Sequence, residues 1–421
     1  MGPPQFTPRK TQPDAGNISI GATHHNNPQR VHTDRLHSFC LCRMKTAKLS
    51  DIVGIINKIA PQHLAESWDN SGLQLGDPTA DVSRIMVALD PTPAVVASAL
   101  ASSCHLLVTH HPLIFKPLKS ISSATSQGRL IHAAIREGLG IISIHTSYDI
   151  AMAGLNDHLA QHLGVGGCTP LKVTSSQELA KLVVFVPETH LDQVRTALFP
   201  HAEQLGAYRD CSFAASGEGT FTPLQGAAPF IGSIGSLEQV AERRLELLVS
   251  RPNVPRAVKA LLASHPYEEP AFDIYPLLNE GVRLGLGRIG RLERSVTLAA
   301  FAAQVGERLG APGLRYVGDP AAMVNKVALC SGSGASLLRD AARSGADCLV
   351  TGDVKYHDAR DAEDLGITLI DAGHFPTEHI MVAHVSDQLR RMLDAAGYAD
   401  CRVLACDVEQ EPFRYCDCNN P

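Results

Sequence analysis

Two adjacent histidines, His110 and His111, stand directly after the apolar run Leu106-Leu107-Val108-Thr109 and before Pro112. A strand ending at Thr109 therefore delivers two imidazoles to the loop at its carboxyl end, where open α/β sheets bind ligands. Neighbouring histidines alone fit a solvent-facing pair as well as a site, but hard ligands recur after two other strand-like runs: His145 and Asp149 after Ile144, and His374 and Glu378 after Asp371. If the turn marked by Pro376 is helical, the four-residue spacing puts His374 and Glu378 on one face. Three histidines and two carboxylates are more than one tetrahedral catalytic ion uses. They suit two divalent ions, with Glu378 able to bridge through its two oxygens. The set holds no cysteine, which favours Zn, Fe, Mn or Mg over softer metals.

Alternating strands and helices must position these residues. From residue 84 the pattern reads strand (Ile85 to Leu89), helix (Pro93 to Ser103), strand (Leu106 to Thr109), helix (Gly128 to Glu137), strand (Ile141 to Ile144) and helix (Leu155 to Leu163). The same grammar returns at Val324 to Cys330, Leu337 to Arg343, Cys348 to Thr351, Ile367 to Ile370 and a long helix after Pro376. Helical crossovers between strands predict two α/β lobes with largely parallel sheets. The lobes also match each other: Leu139-Gly140-Ile141-Ile142-Ser143-Ile144-His145 aligns with Leu365-Gly366-Ile367-Thr368-Leu369-Ile370-Asp371, and each follows a strand ending Val-Thr. A duplication would set equivalent strand ends facing one cleft, although buried strands also resemble one another by chance.

Between the lobes, residues 177–290 read strand (Leu182 to Val186), helix (Asp192 to Leu198), a Gly-rich strand pair (Tyr208 to Thr220), strand (Leu245 to Val249), helix (Val254 to Ala263) and strand (Phe272 to Tyr275). With the Gly-rich pair filling one strand's place, this is the βαββαβ order, which predicts an inserted ferredoxin-like α+β domain. The expected division is 1–43, 44–176, 177–290 and 291–421.

The 421 residues suffice for two to three domains of roughly 150 residues. With 44% hydrophobic and 19% charged residues, the composition is that of a globular protein. A formal net charge of −6 argues against nucleic acid as the default partner, and no apolar run approaches the roughly 20 residues of a membrane span. The 11 cysteines lack any CxxC pair, and Cys330 and Cys348 sit in apolar runs, as in a reducing compartment, so a cytoplasmic location is expected. Cys40/Cys42 and Cys416/Cys418 read as ordinary thiols rather than a zinc site. Residues 1–43 lack apolar periodicity and are expected to be disordered or untranslated, with a helix beginning just past Met44.

The runs Trp68-Asp69-Asn70-Ser71-Gly72-Leu73-Gln74-Leu75-Gly76, Val108-Thr109-His110-His111-Pro112, His145-Thr146-Ser147-Tyr148-Asp149 and Gly373-His374-Phe375-Pro376-Thr377-Glu378 resemble the NGG-interacting-factor-three-like family. Its bacterial members are often labelled GTP cyclohydrolase 1 type 2 homologues, and the resemblance covers about residues 45 to 415. The insert, through Cys211-Ser212-Phe213 and Ser264-His265-Pro266-Tyr267-Glu268-Glu269-Pro270-Ala271, resembles the PII/CutA-like domain of the longer members. The resemblance implies a dinuclear centre made by His110, His111, Asp149, His374 and Glu378. It also implies a ring-shaped homohexamer with the insert near the ring openings.

The reading that follows is a metal-dependent hydrolase in which paired ions acidify a water for attack on a nucleotide or related substrate. If that substrate is GTP, attack falls on purine C8. A phosphoesterase is the rival enzyme. A non-enzymatic metal-loaded ring, whose insert binds a small effector such as a nucleotide or other phosphorylated ligand, or a partner protein, is the rival outside enzymology. His145 reads as a hydrogen-bond partner of the ligand set and a candidate for proton transfer rather than a sixth ligand. Trp68 and Asp69 fit either core or cleft. Gly332-Ser333-Gly334 fits either a phosphate-holding turn or a tight strand-to-helix turn. Lys355 and His357 read as solvated loop residues, and His265, Glu268 and Glu269 as strand-edge packing rather than a lesser metal site.

Overall fold

The computed structural model describes residues 46–415. The expectations for residues 1–43, for Cys40/Cys42 and for Cys416/Cys418 lie outside the described residues.

The chain begins with a short strand, β1 (Ala47–Lys48), and helix α1 (Leu49–Ile59), which buries Leu49, Ile52, Ile55, Ile56 and Ile59 at three- and four-residue steps. β2 (Gly72–Leu75) and β3 (Asp81–Val82) follow, β3 pairing antiparallel with β1. The expected alternation then appears as β4 (Arg84–Ala88), α2 (Pro93–Ala101), β5 (Leu106–Thr109), α3 (Ser126–Arg136) and β6 (Gly140–Ser143). Helix α2 starts where Thr92 accepts from the Val95 N–H and Pro93 sits at the first turn, a position that needs no N–H. A short helix α4 (His145–Ile150), helix α5 (Leu155–Leu163) and the long strand β7 (Val165–Ser176) complete this half.

The inserted segment contributes β8 (Leu179–Pro187), α6 (Leu191–Leu198), β9 (Ser212–Phe221), β10 (Glu238–Ser250), α7 (Val254–Ser264) and β11 (Phe272–Pro276). Its sheet is antiparallel in the order β11-β8-β10-β9. Alternate residues Leu182, Val184, Val186, Leu245, Leu247 and Val249 face Val194, Leu198, Ala257 and Leu261, so both helices cover one face. The Gly-rich stretch expected as two strands is one, β9, whose partner β10 starts at Glu238; glycine supplies the turn signal without a turn.

The remainder comprises β12 (Arg283–Thr297), α8 (Leu298–Leu309), β13 (Arg315–Val317), β14 (Met323–Leu329), α9 (Leu338–Arg343), β15 (Cys348–Thr351), α10 (Tyr356–Leu365), β16 (Thr368–Asp371), α11 (His374–His379), α12 (Met381–Ala395) and β17 (Arg402–Ala405).

Two larger sheets result. One runs β17-β4-β5-β6-β2 and is parallel except for β2, as expected. The other runs β13-β16-β15-β14-β12-β7, and only β16-β15-β14 are parallel. The expectation of a largely parallel sheet fails here because β7 and β12 form a long antiparallel ribbon. Its glycines, including Gly166, Gly167, Gly285, Gly287 and Gly290, hid the strand pattern in the sequence.

Strand pairing also cuts across the expected lobe boundaries. β7 joins the second sheet, β17 joins the first from the far end of the chain, and residues 283–290 lie in β12 beyond the insert's sheet.

Each large sheet is covered on both faces. Core residues of α1 and α12 pack on one side of the first sheet and those of α2 and α3 on the other. For the second sheet the pairs are α5 with α8 and α9 with α10. Among the described residues no helix is long and apolar enough to cross a membrane.

Candidate metal centre

Parallel register aligns the strand ends that carry the chemistry. Thr109 pairs with Ser143 in the first sheet and Thr351 with Asp371 in the second, so His110 and His111 leave one sheet beside α4 while α11 leaves the other. Side chains from both meet. His110 is fully buried, with Nε2 3.8 Å from Asp149 Oδ1 and 3.6 Å from Glu378 Oε1. Glu378 Oε2 lies 3.1 Å from His111 Nε2 and 3.0 Å from His374 Nε2. The two latter imidazoles approach to 3.4 Å. As expected, His374 and Glu378 share one helix face, since α11 is helical across both.

The five residues inferred from the sequence thus converge, Asp149 by its contact with His110 and by accepting from Ser331 Oγ at 3.3 Å. Two groups stand ready to hold an ion, their ligand atoms within 4.8 Å of one another: His111, His374 and Glu378, and His110, His111 and His145. Membership of the second group puts His145 closer to a ligand's place than the sequence reading did.

Three aspartates orient the imidazoles. His111 Nδ1 meets Asp90 Oδ1 at 2.8 Å, His374 Nδ1 meets Asp353 Oδ2 at 2.7 Å, and His145 Nδ1 meets Asp69 Oδ1 at 2.8 Å. With Nδ1–H donated to a carboxylate, each ring turns its Nε2 into the cluster, the orientation that metal-binding histidines adopt. Asp69 is therefore neither simple core nor simple cleft: it also accepts from Thr146 N (3.1 Å), Thr146 Oγ1 (2.5 Å) and Ser71 Oγ (2.6 Å). Asp90 and Asp353 were missed in the sequence, although each lies two residues past a strand. A lone carboxylate after a strand is too common a pattern to single out. Glu409, from the segment after β17, was missed as well; it accepts from Leu89 N (2.9 Å) and Asp90 N (2.8 Å) and so fixes the loop carrying Asp90.

The electrostatics are those of a charged cluster. Burial works against Glu378's charge, but His110, His111 and His374 hold its carboxyl well below the usual range. Burial lifts Asp149, His110 opposes this and Glu378 adds to it, and the carboxyl stays raised. Burial also disfavours protonated His111, yet Asp90 and Glu378 push it up to about 10; Glu378 and Asp353 likewise outweigh burial at His374 and push it up to about 9. At Asp69 burial is outweighed by the hydrogen bonds from His145, Ser71 and Thr146, which hold it far below the usual carboxylate range.

Hydrogen bonding within the protein leaves the centre incomplete. Both nitrogens of buried His110 and Oε2 of Glu378 are left without a hydrogen-bond partner, although imidazole nitrogens stand 3.1 and 3.0 Å from that oxygen. Buried polar atoms are normally paired, and an ion pairs such a set at once. The donors fit divalent metal.

The turn at Gly332 supplies the room. Gly332 has φ +58°, and a Cβ there would lie 2.1 Å from Glu378 Oε1. Its N–H donates to Thr377 Oγ1 at 3.0 Å, and Gly334 N–H donates to Thr351 Oγ1 at 2.8 Å. With these amides committed, the Gly332-Ser333-Gly334 turn seats Glu378 rather than phosphate. Lys355 and His357 are exposed, as expected. His265 spends both ring nitrogens, on Phe185 O (3.0 Å) and Tyr267 N–H (3.0 Å), and Glu268 accepts from Ala228 N, which leaves no lesser metal site of the kind weighed.

An α/β protein of several sheets, with a buried His/carboxylate cluster built from the ends of two of them, is the class that fold and site define. The family model described as Duf34/NIF3 (NGG1p interacting factor 3) matches residues 47–412, and the chain belongs to that family. It is 42% identical over 373 residues to the "GTP cyclohydrolase 1 type 2 homolog" of Halalkalibacterium halodurans, covering 88% of this chain and 100% of the relative. The protein of the same name in Bacillus subtilis is 37% identical over 372 residues, covering 88% and 99%. A solved Bacillus cereus protein related to NIF3 superposes with a TM-score of 0.83 at 38% identity, covering 88% of this chain and 100% of its own.

Proposed function

We propose that this chain is a metal-dependent hydrolase acting on a nucleotide or related substrate. His110, His111, Asp149, His374 and Glu378 would hold two divalent ions (Zn, Fe, Mn or Mg), with Glu378 between them. The observation that carries the reading is the buried set of His110 nitrogens and a Glu378 oxygen that make no hydrogen bond, gathered with two further imidazoles at the junction of two strand ends. When bound, the ions would supply Lewis acidity and bring the pKa of a water toward neutrality. The rest falls to this chain's side chains. Asp90 and Asp353 hold His111 and His374 in their tautomers and orientations. His145, with Nδ1 held by Asp69, keeps Nε2 to take a proton from water or return one to the product. The relatives' name supports GTP as the substrate to test first, with water adding at purine C8.

A second reading rests on the insert, whose cavity of about 540 Å³ is lined by Phe185, Phe221, Phe230, Tyr267, Glu242 and Glu269 among others. On that reading the protein is a cytoplasmic, metal-loaded homohexameric ring whose PII/CutA-like insert senses a small effector. Metal-reconstituted protein assayed against nucleotides and phosphoesters separates the two. Turnover that vanishes on chelation and returns with added metal supports the hydrolase, and absence of turnover across the panel overturns it.

A further inference from the structure

Beside the candidate metal centre stands an aromatic pair that the chemistry above does not use. Trp68 is 58% exposed and Phe115 44% exposed, an unfavourable place for two large apolar rings beside a cluster of charge. They sit edge to face at 6.0 Å and 69°. Both also stand edge-on to His145, Trp68 at 5.9 Å and Phe115 at 6.2 Å. His145 is in turn 5.2 Å from His110 and 5.5 Å from His111, ring centre to ring centre, so the pair lies one residue away from the candidate ligands.

The chain builds this pair deliberately. Ile114, next to Phe115, donates its N–H to Gln74 Oε1 at 2.8 Å and accepts on its carbonyl from Asn70 Nδ2. Both anchors come from the segment that begins with Trp68. Gln127 Nε2 grips the preceding carbonyl, that of Leu113. Loop and segment are therefore tied in fixed register, and the tie holds two exposed ring faces in place rather than burying them.

We propose that Trp68 and Phe115 form a stacking platform for a flat heteroaromatic ring of the substrate, which delivers the ring's edge to His145 and the metal ligands. The proposal deepens the hydrolase reading and rests on it for the site, naming the substrate as one with a planar base rather than a simple phosphoester. Exposed aromatic rings hold bases by their π faces with little demand on base identity, so specificity for one base must come from the polar edge of the site.

Trp68 is the only tryptophan of the chain, so its fluorescence reports the platform directly. Full-length, metal-reconstituted protein is titrated with guanosine 5′-monophosphate and, separately, with ribose 5-phosphate. Saturable quenching by the first and none by the second is expected. Phe115→Leu should weaken the nucleotide by about tenfold while retaining bound metal and melting temperature. Trp68→Leu, followed by calorimetry, should do the same. Equal binding of both probes, unchanged affinity in both variants, or Trp68 emission that is already solvent-shielded and indifferent to nucleotide because a second copy covers it, would each overturn the platform. Because the titration needs no turnover, nucleotide binding without hydrolysis sinks only the hydrolase reading. Turnover of a non-aromatic phosphoester without nucleotide binding sinks only the platform.

Discussion

Glu378 is the residue on which the charge balance of the centre turns. Three imidazoles face its carboxylate, and Gln in its place keeps the size while removing the charge that two cations would need. Elemental analysis after dialysis should find about two metal ions per subunit in the parent and close to none in Glu378→Gln; two retained ions would remove Glu378 from the centre. Protons compete with metal here more strongly than unperturbed histidines near pH 6.5 would suggest. His111 at about 10 and His374 at about 9 are raised in the ion-free protein, so each contributes stability that is whole below pH 6.5 and is lost as pH rises through the raised value. The ion-free protein should therefore lose stability between about pH 6.5 and 10, and metal affinity should climb over the same window as fewer protons need displacing. Metal titrations at pH 7 and pH 9 in two buffers of different ionisation enthalpy test this; an affinity and proton release independent of pH would contradict it.

Elements distant in sequence hold that residue cluster together. Arg288 on β12 is buried, pairs with Asp157 at 2.6 and 2.9 Å and donates to Ala151 O at 2.9 Å, which clamps the end of α4 just past Asp149. Asn156 joins the sheets from the other side, donating to Asp149 O at 3.1 Å and accepting from Ser331 N at 2.9 Å. Glu409 does the equivalent for His111 through the loop carrying Asp90, and its side chain is 3% exposed. Glu409→Ala strands the Leu89 and Asp90 N–H groups, so a loss of about 1–3 kcal/mol in denaturant unfolding is expected. Metal affinity should fall with it, and Glu409→Gln, which keeps an acceptor, should recover much of the stability. Wild-type metal affinity in Glu409→Ala would show that Asp90 needs no support. None of these three was legible from sequence, because each acts through a contact more than one hundred residues away or through a backbone group.

Among the described residues the two large sheets are interrupted in sequence by the inserted one, and strand pairing shows where the interruption starts. Ser176 pairs with Arg283, and Gln177 N donates to Val282 O at 2.9 Å, so the chain leaves and re-enters through adjacent positions of one ribbon. Replacing residues 177–282 by Asn-Gly, a sequence suited to a tight hairpin turn, should leave a folded, metal-binding core. A cut at 290 would instead remove half of β12 and the buried Arg288. Cooperative unfolding and metal stoichiometry of the shortened protein check this; failure to bind metal under any condition would make the insert part of the centre.

Local chemistry by itself determined the strand–helix alternation, the βαββαβ order of the insert and the hard-ligand candidates His110, His111, His145, Asp149, His374 and Glu378 just past three strands. Periodicity of apolar residues and the position of polar residues just past a strand are properties of short segments. Only the tertiary structure decided that β7 and β12 turn half of the second sheet antiparallel, that β17 crosses to the first sheet, and that Asp90, Asp353 and Glu409 support the histidines. Those outcomes depend on which backbone edges and carboxylates meet across long stretches of chain. The glycine-rich ribbon and the lone acidic residues carry no local pattern that tells one partner from another.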